Sequence, residues 1–216
     1  MKAIILNASP RKTWNTAQLL HSAQKGAESA GAETEYFDLY DLNFTGCRSC
    51  LLCKRKDGER CKCFWKDDLS PIIEKVFAAD ALFVGSPIYL GDTTSQFHAF
   101  LERLHFCALS YDDYRNYFTG KVNVGIVLTM NAPQVYYIMS YEKKLKDQIN
   151  AFRSLNGEVR VLTGCDTRQV KDYSKYNMAS FNEKHKIAHH EKQFPLDLDK
   201  AFKMGAELCC AETARA

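Results

Sequence analysis

Five of the nine cysteines lie in one short basic stretch, GCRSCLLCKRKDGERCKC. Two residues separate Cys47 from Cys50 and Cys50 from Cys53, and Cys61 and Cys63 follow them. Thiolates grouped in this way bind metal ions, carry out redox chemistry or are simply buried. In a reducing compartment, so many cysteines argue against a disulfide framework. Zinc is one alternative, although two well-separated C-x2-C pairs are its more usual pattern.

A second group of candidate residues lies in the loop NASPRKTWNTAQ (Asn7–Gln18), after the first apolar run. Short polar side chains, two basic residues and the N-terminus of the helix predicted next all suit an anion. The loop contains no glycine, so it matches neither G-x-G-x-x-G nor the Walker A pattern, and a terminal phosphate monoester fits it better. The alternative is an ordinary strand-to-helix turn in which Asn15 or Thr16 only caps the helix.

A third loop, GSPIYLGDTTSQF, follows the third apolar run and suits a flat ring. Backbone groups of residues 88–91 are available to the polar edge of a heterocycle, while Tyr89 or Leu90 lies against its face. The sequence LTMNAP, at the end of the fourth run, supplies a further wall. Taken alone, Tyr89 is more often a buried tyrosine than a stacking residue.

Five short apolar runs predict the β-strands that position these loops. They span Lys2–Ala8, Thr34–Leu39, Ala81–Pro87, Val122–Met130 and Glu158–Gly164. Nearly continuous hydrophobicity is typical of parallel strands covered on both faces, and the more polar second and fifth runs are predicted at the edges. Helical patterns between the runs indicate an α/β, doubly wound, five-stranded parallel sheet with helices on both faces. The predicted strand order is 2-1-3-4-5, with ligands bound beyond the carboxyl ends of the strands.

We expect a single domain. Residues 1–164 form its ligand-binding part, which includes the cysteine-rich loop 46–63, and residues 165–216 form an extension available for subunit contacts. The polar stretch after Gly164 is predicted to be exposed, and a final helix is predicted from Asp197 onward. The histidine-rich sequence HKIAHHEK is predicted to be a solvated face, because it lacks the H-E-x-x-H spacing of a metal site.

The charge distribution excludes several classes of partner. The chain has 29 basic and 26 acidic residues, a net charge of +3, with no long block of one sign. Nucleic-acid binding is therefore disfavoured. No apolar run approaches the roughly 20 residues of a membrane-spanning helix, and the N-terminus lacks a signal-peptide layout. We expect a soluble, cytoplasmic protein without a membrane partner.

Together, these motifs resemble the flavodoxin-like NAD(P)H-dependent FMN reductase family, and more closely its iron-sulfur flavoprotein branch. The resemblance covers nearly the whole chain. It rests on NASPRKTWNTAQLL, GCRSCLLC with KDDL, AADALFVGSPIYLG, FLERL, QVKDYSKY and KQFPLDLDKAFKMG. It implies bound FMN and electron transfer from NAD(P)H, or from a ferredoxin-like donor, to a small acceptor such as a flavin, a quinone or a nitro compound. It also implies a homodimer or homotetramer.

The resemblance also implies which residues contact FMN. Those at the phosphate are Ser9, Arg11, Asn15, Thr16 and Ala17. Those at the flavin ring are Pro87, Ile88, Tyr89, Leu90, Gly91, Thr129, Met130 and Asn131. Two departures from the family pattern are Trp14 in the phosphate loop and TMNAP in place of a glycine-bearing loop. We name no catalytic acid or base, because the flavin supplies the redox chemistry and the protein binds and orients it.

For the cysteines, the resemblance implies Cys47, Cys50, Cys53 and Cys61 as ligands of a 4Fe-4S cluster. Basic residues around them would offset the negative charge of the cluster. The alternative is that they hold nothing, since related reductases keep similar cysteines and are not regarded as cluster proteins. Cys63 has no place in this assignment.

Two further functions compete with an oxidoreductase. One is an electron carrier or redox sensor that holds FMN or a cluster without turning over a small substrate. The other is a non-redox module with a structural zinc, although such a module would not need the phosphate loop.

Overall fold

Five parallel strands form one sheet in the computed structural model, which describes residues 1–210. The strands are β1 (Lys2–Asn7), β2 (Glu33–Asp38), β3 (Ala81–Pro87), β4 (Val122–Thr129) and β5 (Asn156–Gly164). Their order is β2-β1-β3-β4-β5, and every neighbouring pair is parallel. The predicted sheet order is confirmed, including the more polar β2 and β5 at the edges.

Helices cover both faces of the sheet. They are α1 (Asn15–Ser29), α2 (Leu69–Phe77), α3 (Ser95–Ala108), the short α4 (Gln134–Tyr136), α5 (Glu142–Ala151) and α6 (Glu183–Leu208). One turn of π-helix, Tyr137–Tyr141, joins α4 to α5. No helix within residues 1–210 is long and apolar enough to cross a membrane.

The sheet separates two hydrophobic cores. Along β1, Ile4 and Leu6 face the core shared with α2, α3 and α5, while Ala3 and Ile5 face the core shared with α1 and α6. All four side chains are at most 3% exposed. Burial on both faces explains why the strand sequences are continuously apolar rather than alternating.

The last helix differs from the prediction. It begins at Glu183, well before Asp197, and runs through Pro195. A proline inside a helix removes one hydrogen bond and ordinarily breaks the helix. Here Phe194 and Leu198, on either side of Pro195, pack in the core with α1, and this packing holds both halves in one helix.

Two glycines allow α6 to approach α1 closely. A Cβ atom added at Gly205 would lie 1.9 Å from the Ala23 carbonyl oxygen. A Cβ atom added at Gly26 would lie 1.9 Å from the Phe202 carbonyl oxygen. The position of α1, whose first turn borders the site below, therefore depends on α6.

Candidate functional site

A pocket opens where the carboxyl ends of β1, β3 and β4 meet; we call it the strand-end pocket. It holds about 520 Å³ of open space, within the range of small-molecule sites. It is lined by Ser9, Arg11, Trp14, Asn15, Thr16, Pro87, Ile88, Tyr89, Thr129, Met130, Asn131, Thr167 and Gln169. The structure thus brings together all but three of the residues predicted to contact a flavin. The exceptions are Ala17, Leu90 and Gly91.

The start of α1 carries no side-chain cap. Trp14 occupies the N-cap position without a capping hydrogen bond from its side chain. The prediction that Asn15 or Thr16 caps the helix is wrong, because both lie inside the first turn and bind elsewhere. Asn15 Nδ2 donates to the Arg168 carbonyl at 2.9 Å, and the Thr16 hydroxyl hydrogen-bonds the Thr129 hydroxyl at 2.7 Å. The first-turn N–H groups, which lack partners within a helix, therefore remain for an anion.

Ala17 and Ser9 are both buried in this region. Because the Ala17 side chain is fully buried, only its backbone N–H is available to a ligand. The Ser9 hydroxyl accepts a hydrogen bond from the Arg11 backbone at 3.1 Å, which shapes the loop before α1.

The segment after β5 closes the pocket. Arg11 Nη1 donates to the Gln169 carbonyl, and Trp14 Nε1 donates to the Arg168 carbonyl at 3.0 Å. Thr167 donates to the Met130 carbonyl from its backbone at 3.0 Å and from its hydroxyl at 2.9 Å. Sequence reasoning missed Thr167 and Gln169 as site residues. The available signal was QVKDYSKY, which begins at Gln169.

One buried side-chain oxygen in the pocket lining has no hydrogen-bond partner within residues 1–210. Gln169 Oε1 is buried and accepts no hydrogen bond within the described residues. A buried acceptor without a donor is costly, and a ligand that carries hydroxyl groups would satisfy it. FMN offers a phosphate, a hydroxylated chain and a flat ring, so the uncapped helix start and Gln169 fit this cofactor.

The loop after β3 forms a tight turn. Tyr89 and Asp92 exchange backbone hydrogen bonds of 2.7 and 3.0 Å, and Ile88 N donates to the Thr129 carbonyl at 2.8 Å. The backbone N–H groups of Ile88 and Tyr89 are therefore already bonded within the protein. That other backbone groups of residues 88–91 hydrogen-bond a ring stays a prediction. Leu90, with φ 52°, is fully exposed, and Gly91, with φ 78°, packs beside Tyr141. Neither residue reaches the pocket wall.

A second pocket lies between the cysteine-rich loop and α3; we call it the cysteine pocket. Five thiols line it, those of Cys47, Cys50, Cys53, Cys63 and Cys107. Phe64, Trp65 and Phe106 add an aromatic wall, and the pocket holds about 360 Å³ of open space. Cys61, predicted as the fourth ligand, does not line the pocket, and its φ is 57°. Cys107 was not predicted, because a single cysteine on a helix carries no spacing signal.

Arg103 anchors the cysteine pocket. Its side chain is 2% exposed and forms an ion pair with Asp67, with Nη2 3.0 Å from Oδ1. Nη2 also donates to Cys63 Sγ at 3.1 Å and to the Ser70 hydroxyl at 2.6 Å. Arg103 Nε is buried without a partner among the described residues. A buried cation of this kind stabilises negative charge on the sulfur atoms.

Three thiols of this pocket, those of Cys53, Cys63 and Cys107, have perturbed pKa values. Hydrogen bonding by Cys107 and, secondarily, by the Trp65 backbone and Arg103 lowers the pKa of Cys63 to about 5, in spite of burial. Hydrogen bonding by Cys107 likewise lowers the pKa of Cys53 to about 7. Hydrogen bonds to Cys53 and Cys63, together with burial, raise the pKa of Cys107. Burial raises the pKa of Cys61. Because metals bind thiolates, Cys63 is a better metal ligand than Cys61.

Comparison with curated proteins finds iron-sulfur flavoproteins. The chain is 34% identical over 125 residues to an iron-sulfur flavoprotein of Methanocaldococcus jannaschii, covering 58% of this chain and 62% of the relative. It is 31% identical over 116 residues to one of Archaeoglobus fulgidus, covering 54% and 55%. The chain therefore spans less than two thirds of the length of these relatives.

Comparison with solved structures shows the same fold. An NAD(P)H:quinone oxidoreductase from Methanothermobacter marburgensis superposes with a TM-score of 0.67 at 18% identity, over 96% of both chains. A flavodoxin from the domain Archaea superposes with a TM-score of 0.51 at 12% identity, over 100% of both chains. These likenesses confirm the predicted flavodoxin-like architecture.

The family model described as NADPH-dependent FMN reductase matches residues 1–135. This range contains β1, the loop before α1, the cysteine-rich loop and β3 with its following turn. It also includes β4 and the loop after it, so most of the strand-end pocket lies within the match. The chain belongs to the NADPH-dependent FMN reductase family.

Proposed function

We propose that this protein is an FMN-dependent oxidoreductase that passes electrons from NAD(P)H to a small acceptor such as a quinone, a flavin or a nitro compound. The observation that carries the proposal is the strand-end pocket. It combines an uncapped helix start, an unpartnered buried acceptor and a tyrosine wall at the carboxyl edge of a parallel sheet. In doubly wound folds, this edge is where ligands bind.

In this proposal, the N–H groups of the first turn of α1 hold the FMN phosphate. Arg11, fixed by the Gln169 carbonyl, adds positive charge beside it. Gln169 Oε1 accepts from a hydroxyl of the ribityl chain. Tyr89 and Met130 flank the ring, since both line the pocket. The flavin supplies hydride and single-electron chemistry, and the residues of this chain bind it and exclude water.

The cysteine pocket is proposed to hold a 4Fe-4S cluster on Cys47, Cys50, Cys53 and Cys63. This set replaces Cys61 of the sequence-based assignment with Cys63, which lines the pocket and whose sulfur accepts from Arg103. The number and type of donors fit a cluster, and hydrogen bonds to cluster sulfurs tune its potential. The curated relatives named iron-sulfur flavoproteins support the same proposal.

The ligand assignment is tested by iron content after anaerobic purification. Cys63→Ser is expected to lose most of the bound iron and the broad absorption of a cluster. Cys61→Ser, two residues away, is the matched control and should keep both. Iron loss in Cys61→Ser with retention in Cys63→Ser would restore the original assignment and contradict the revised one.

A protein electron donor is the second candidate, favoured by the position of the cysteine pocket at the surface. Cys47 and Cys50 are exposed, so a donor such as a reduced ferredoxin can approach the cluster directly. The protein would then act as an electron carrier. Reduction of bound flavin by ferredoxin, without reduction by NADH or NADPH, would favour this candidate.

The main proposal is tested with purified protein and added FMN. We expect flavin absorption that remains with the protein on gel filtration and is released as FMN by denaturation. NADH or NADPH should then reduce the flavin, and a quinone should reoxidise it. Gln169→Ala should weaken FMN binding, whereas Gln96→Ala, in the first turn of α3 and outside the pocket lining, should not. Absence of FMN binding at saturating cofactor would refute the proposal.

A further inference from the structure

Asp166, His185 and His189 converge on the side of α6 nearest the end of β5. His185 Nε2 lies 2.7 Å and His189 Nδ1 lies 3.7 Å from Asp166 Oδ2. The two histidines are one helical turn apart, and their rings stack with centroids separated by 5.9 Å. Within residues 1–210, these three side chains are a group whose ligand atoms all lie within 4.8 Å of one another.

We propose that these three side chains bind a divalent transition-metal ion of the zinc type. Two imidazoles and one carboxylate are a zinc ligand set, and three protein ligands leave a position open for water or another group. The side chain of His185 is 61% exposed, so the site opens to solvent on that side. Neutral imidazole also selects zinc, copper or nickel over magnesium and calcium, which prefer oxygen ligands.

The second oxygen of Asp166 is held by a buried lysine. Lys186 is 5% exposed, and its Nζ donates to Asp166 Oδ1 and to the Asn131 carbonyl. This contact orients Oδ2 toward the histidines, in the manner of the hydrogen bonds that ordinarily hold metal-ligating carboxylates. The ammonium also repels a nearby cation, so we expect weaker binding than at a structural site of four ligands.

The backbone of Asp166 adopts φ 53°, a conformation that is uncommon for a non-glycine residue. Its N–H donates to the Ala132 carbonyl at 2.8 Å, which fixes the residue against the loop after β4. The carboxylate is thus held in place by main-chain contacts before any metal binds. Such a fixed ligand reduces the ordering that metal binding requires.

A metal at this position would tie α6 to the wall of the strand-end pocket. Asp166 directly precedes Thr167, which lines that pocket and hydrogen-bonds the Met130 carbonyl. The proposed ion therefore stiffens the loop behind the pocket without taking part in electron transfer. The inference stands independently of the proposed FMN-dependent activity.

The competing explanation is that these three side chains form only hydrogen bonds and bind no metal ion. His185 then only donates a hydrogen bond to Asp166, as the prediction of a solvated histidine face would have it. The sequence HKIAHHEK lacks a metal-site signature because its third ligand comes from a different element. Only the metal-site explanation predicts that Zn²⁺ and Co²⁺ bind here and that substitution of the two histidines abolishes this binding.

The test is a titration of the full chain with Zn²⁺, monitored by calorimetry. Metal analysis after gel filtration then gives the number of zinc ions bound per chain. His185→Ala/His189→Ala is expected to bind one zinc ion fewer per chain, or to bind it at least about tenfold more weakly. His21→Ala, which removes a histidine from α1, is the matched control and should behave as the wild type. Equal stoichiometry and affinity in the wild type and the double variant would overturn the proposal.

Co²⁺ spectra separate this site from the thiols of the cysteine pocket. Thiolate ligands give intense charge-transfer absorption, whereas imidazole and carboxylate give only weak d–d bands. The double variant should lose a set of weak bands and keep the thiolate absorption. If the wild type and the double variant give the same spectrum, the proposal is wrong. Both histidines reach the surface, so the variant should keep its far-ultraviolet circular dichroism, which verifies folding.

Discussion

The strand-end pocket and the cysteine pocket are built in opposite ways. The strand-end pocket sits on strand ends and the first turn of a helix, and its polar side chains are tied to backbone carbonyls. The cysteine pocket is made by an irregular loop, with positive φ at Ser49, Leu51 and Cys61, packed on one face of α3. The sheet holds the first pocket, whereas contacts to α3 anchor the second, among them the buried Arg103–Asp67 ion pair and the hydrogen bonds of Lys54 to the Phe106 and Leu109 carbonyls. Perturbing one should therefore spare the other.

Arg103→Ala should give the largest effect and should break only the cysteine pocket. The Asp67 carboxylate is nearly buried, and removal of Arg103 leaves it without its cation. The loss costs about 3–5 kcal/mol of unfolding free energy. Urea unfolding measures the loss of unfolding free energy, and iron content measures whether the cysteine pocket still binds its proposed cluster. FMN affinity at low temperature, where the variant remains folded, should be nearly unchanged.

Lys203→Ala is the control for this prediction, because Lys203 and Asp199 form an exposed ion pair on α6. Exposed pairs contribute little to stability. If Arg103→Ala and Lys203→Ala unfold at the same urea concentration, the ion pair does not anchor the cysteine pocket.

Gly205→Ala should affect the strand-end pocket and leave the cysteine pocket intact. The added methyl group would meet the Ala23 backbone, so α6 must move away from α1 at a cost of about 1–3 kcal/mol. Because α1 begins at the strand-end pocket, FMN affinity should fall together with the melting temperature, while iron content stays constant. Lys192→Ala, on the exposed face of α6, should change neither quantity. Unchanged FMN affinity in a destabilised Gly205→Ala would show that the pocket does not depend on this helix contact.

The reactivity of Cys63 and Cys61 should diverge with pH in protein free of metal. The pKa of Cys63 is lowered to about 5, so its thiolate persists as pH falls from 8 to 6 and is lost only as pH drops through about 5. The pKa of Cys61 is raised by burial, so its thiolate is already scarce at neutral pH. At pH 6, we expect alkylation by iodoacetamide to be about tenfold faster at Cys63. Mass spectrometry of the labelled peptides measures the ratio, and equal rates at pH 6 would contradict the prediction.

Thr16→Val should give the smallest effect, confined to the strand-end pocket. The substitution keeps the shape of the side chain and removes the buried hydrogen bond to the Thr129 hydroxyl, at a cost of about 1 kcal/mol. We expect a small fall in melting temperature and a modest loss of FMN affinity, with unchanged iron content. Thr13→Val, on the exposed part of the same loop, serves as the control. An equal response of both variants would mean that the hydroxyl pair has no particular role.

The architecture was predictable because parallel strands are covered by helices on both faces, so that their sequences are continuously apolar. Continuous apolar runs predicted β1, β3 and β4, and the carboxyl edge that these strands share predicted where the strand-end pocket lies. The start of α6 was not predictable from local sequence. Pro195 is a strong helix breaker locally, and only packing against α1 outweighs it.

The details of both pockets depend on contacts between distant segments. Cys107 and Arg103 lie on α3, some forty residues or more beyond the cysteine loop, and no spacing rule connects them to it. Gln169 and Thr167 likewise reach the strand-end pocket only through the fold. Cys61 satisfied the spacing pattern, yet Cys63 lines the cysteine pocket and Cys61 does not.

The carbonyls of Arg168 and Gln169 receive the side chains of Arg11, Trp14 and Asn15, and this has a consequence for biosynthesis. The ribosome makes the loop before α1 first, but the segment that holds this loop emerges only after all five strands have been translated. A nascent chain that has formed the sheet therefore still lacks one wall of its pocket. We therefore expect the proposed FMN to be loaded late, after the segment that follows β5 has left the exit tunnel.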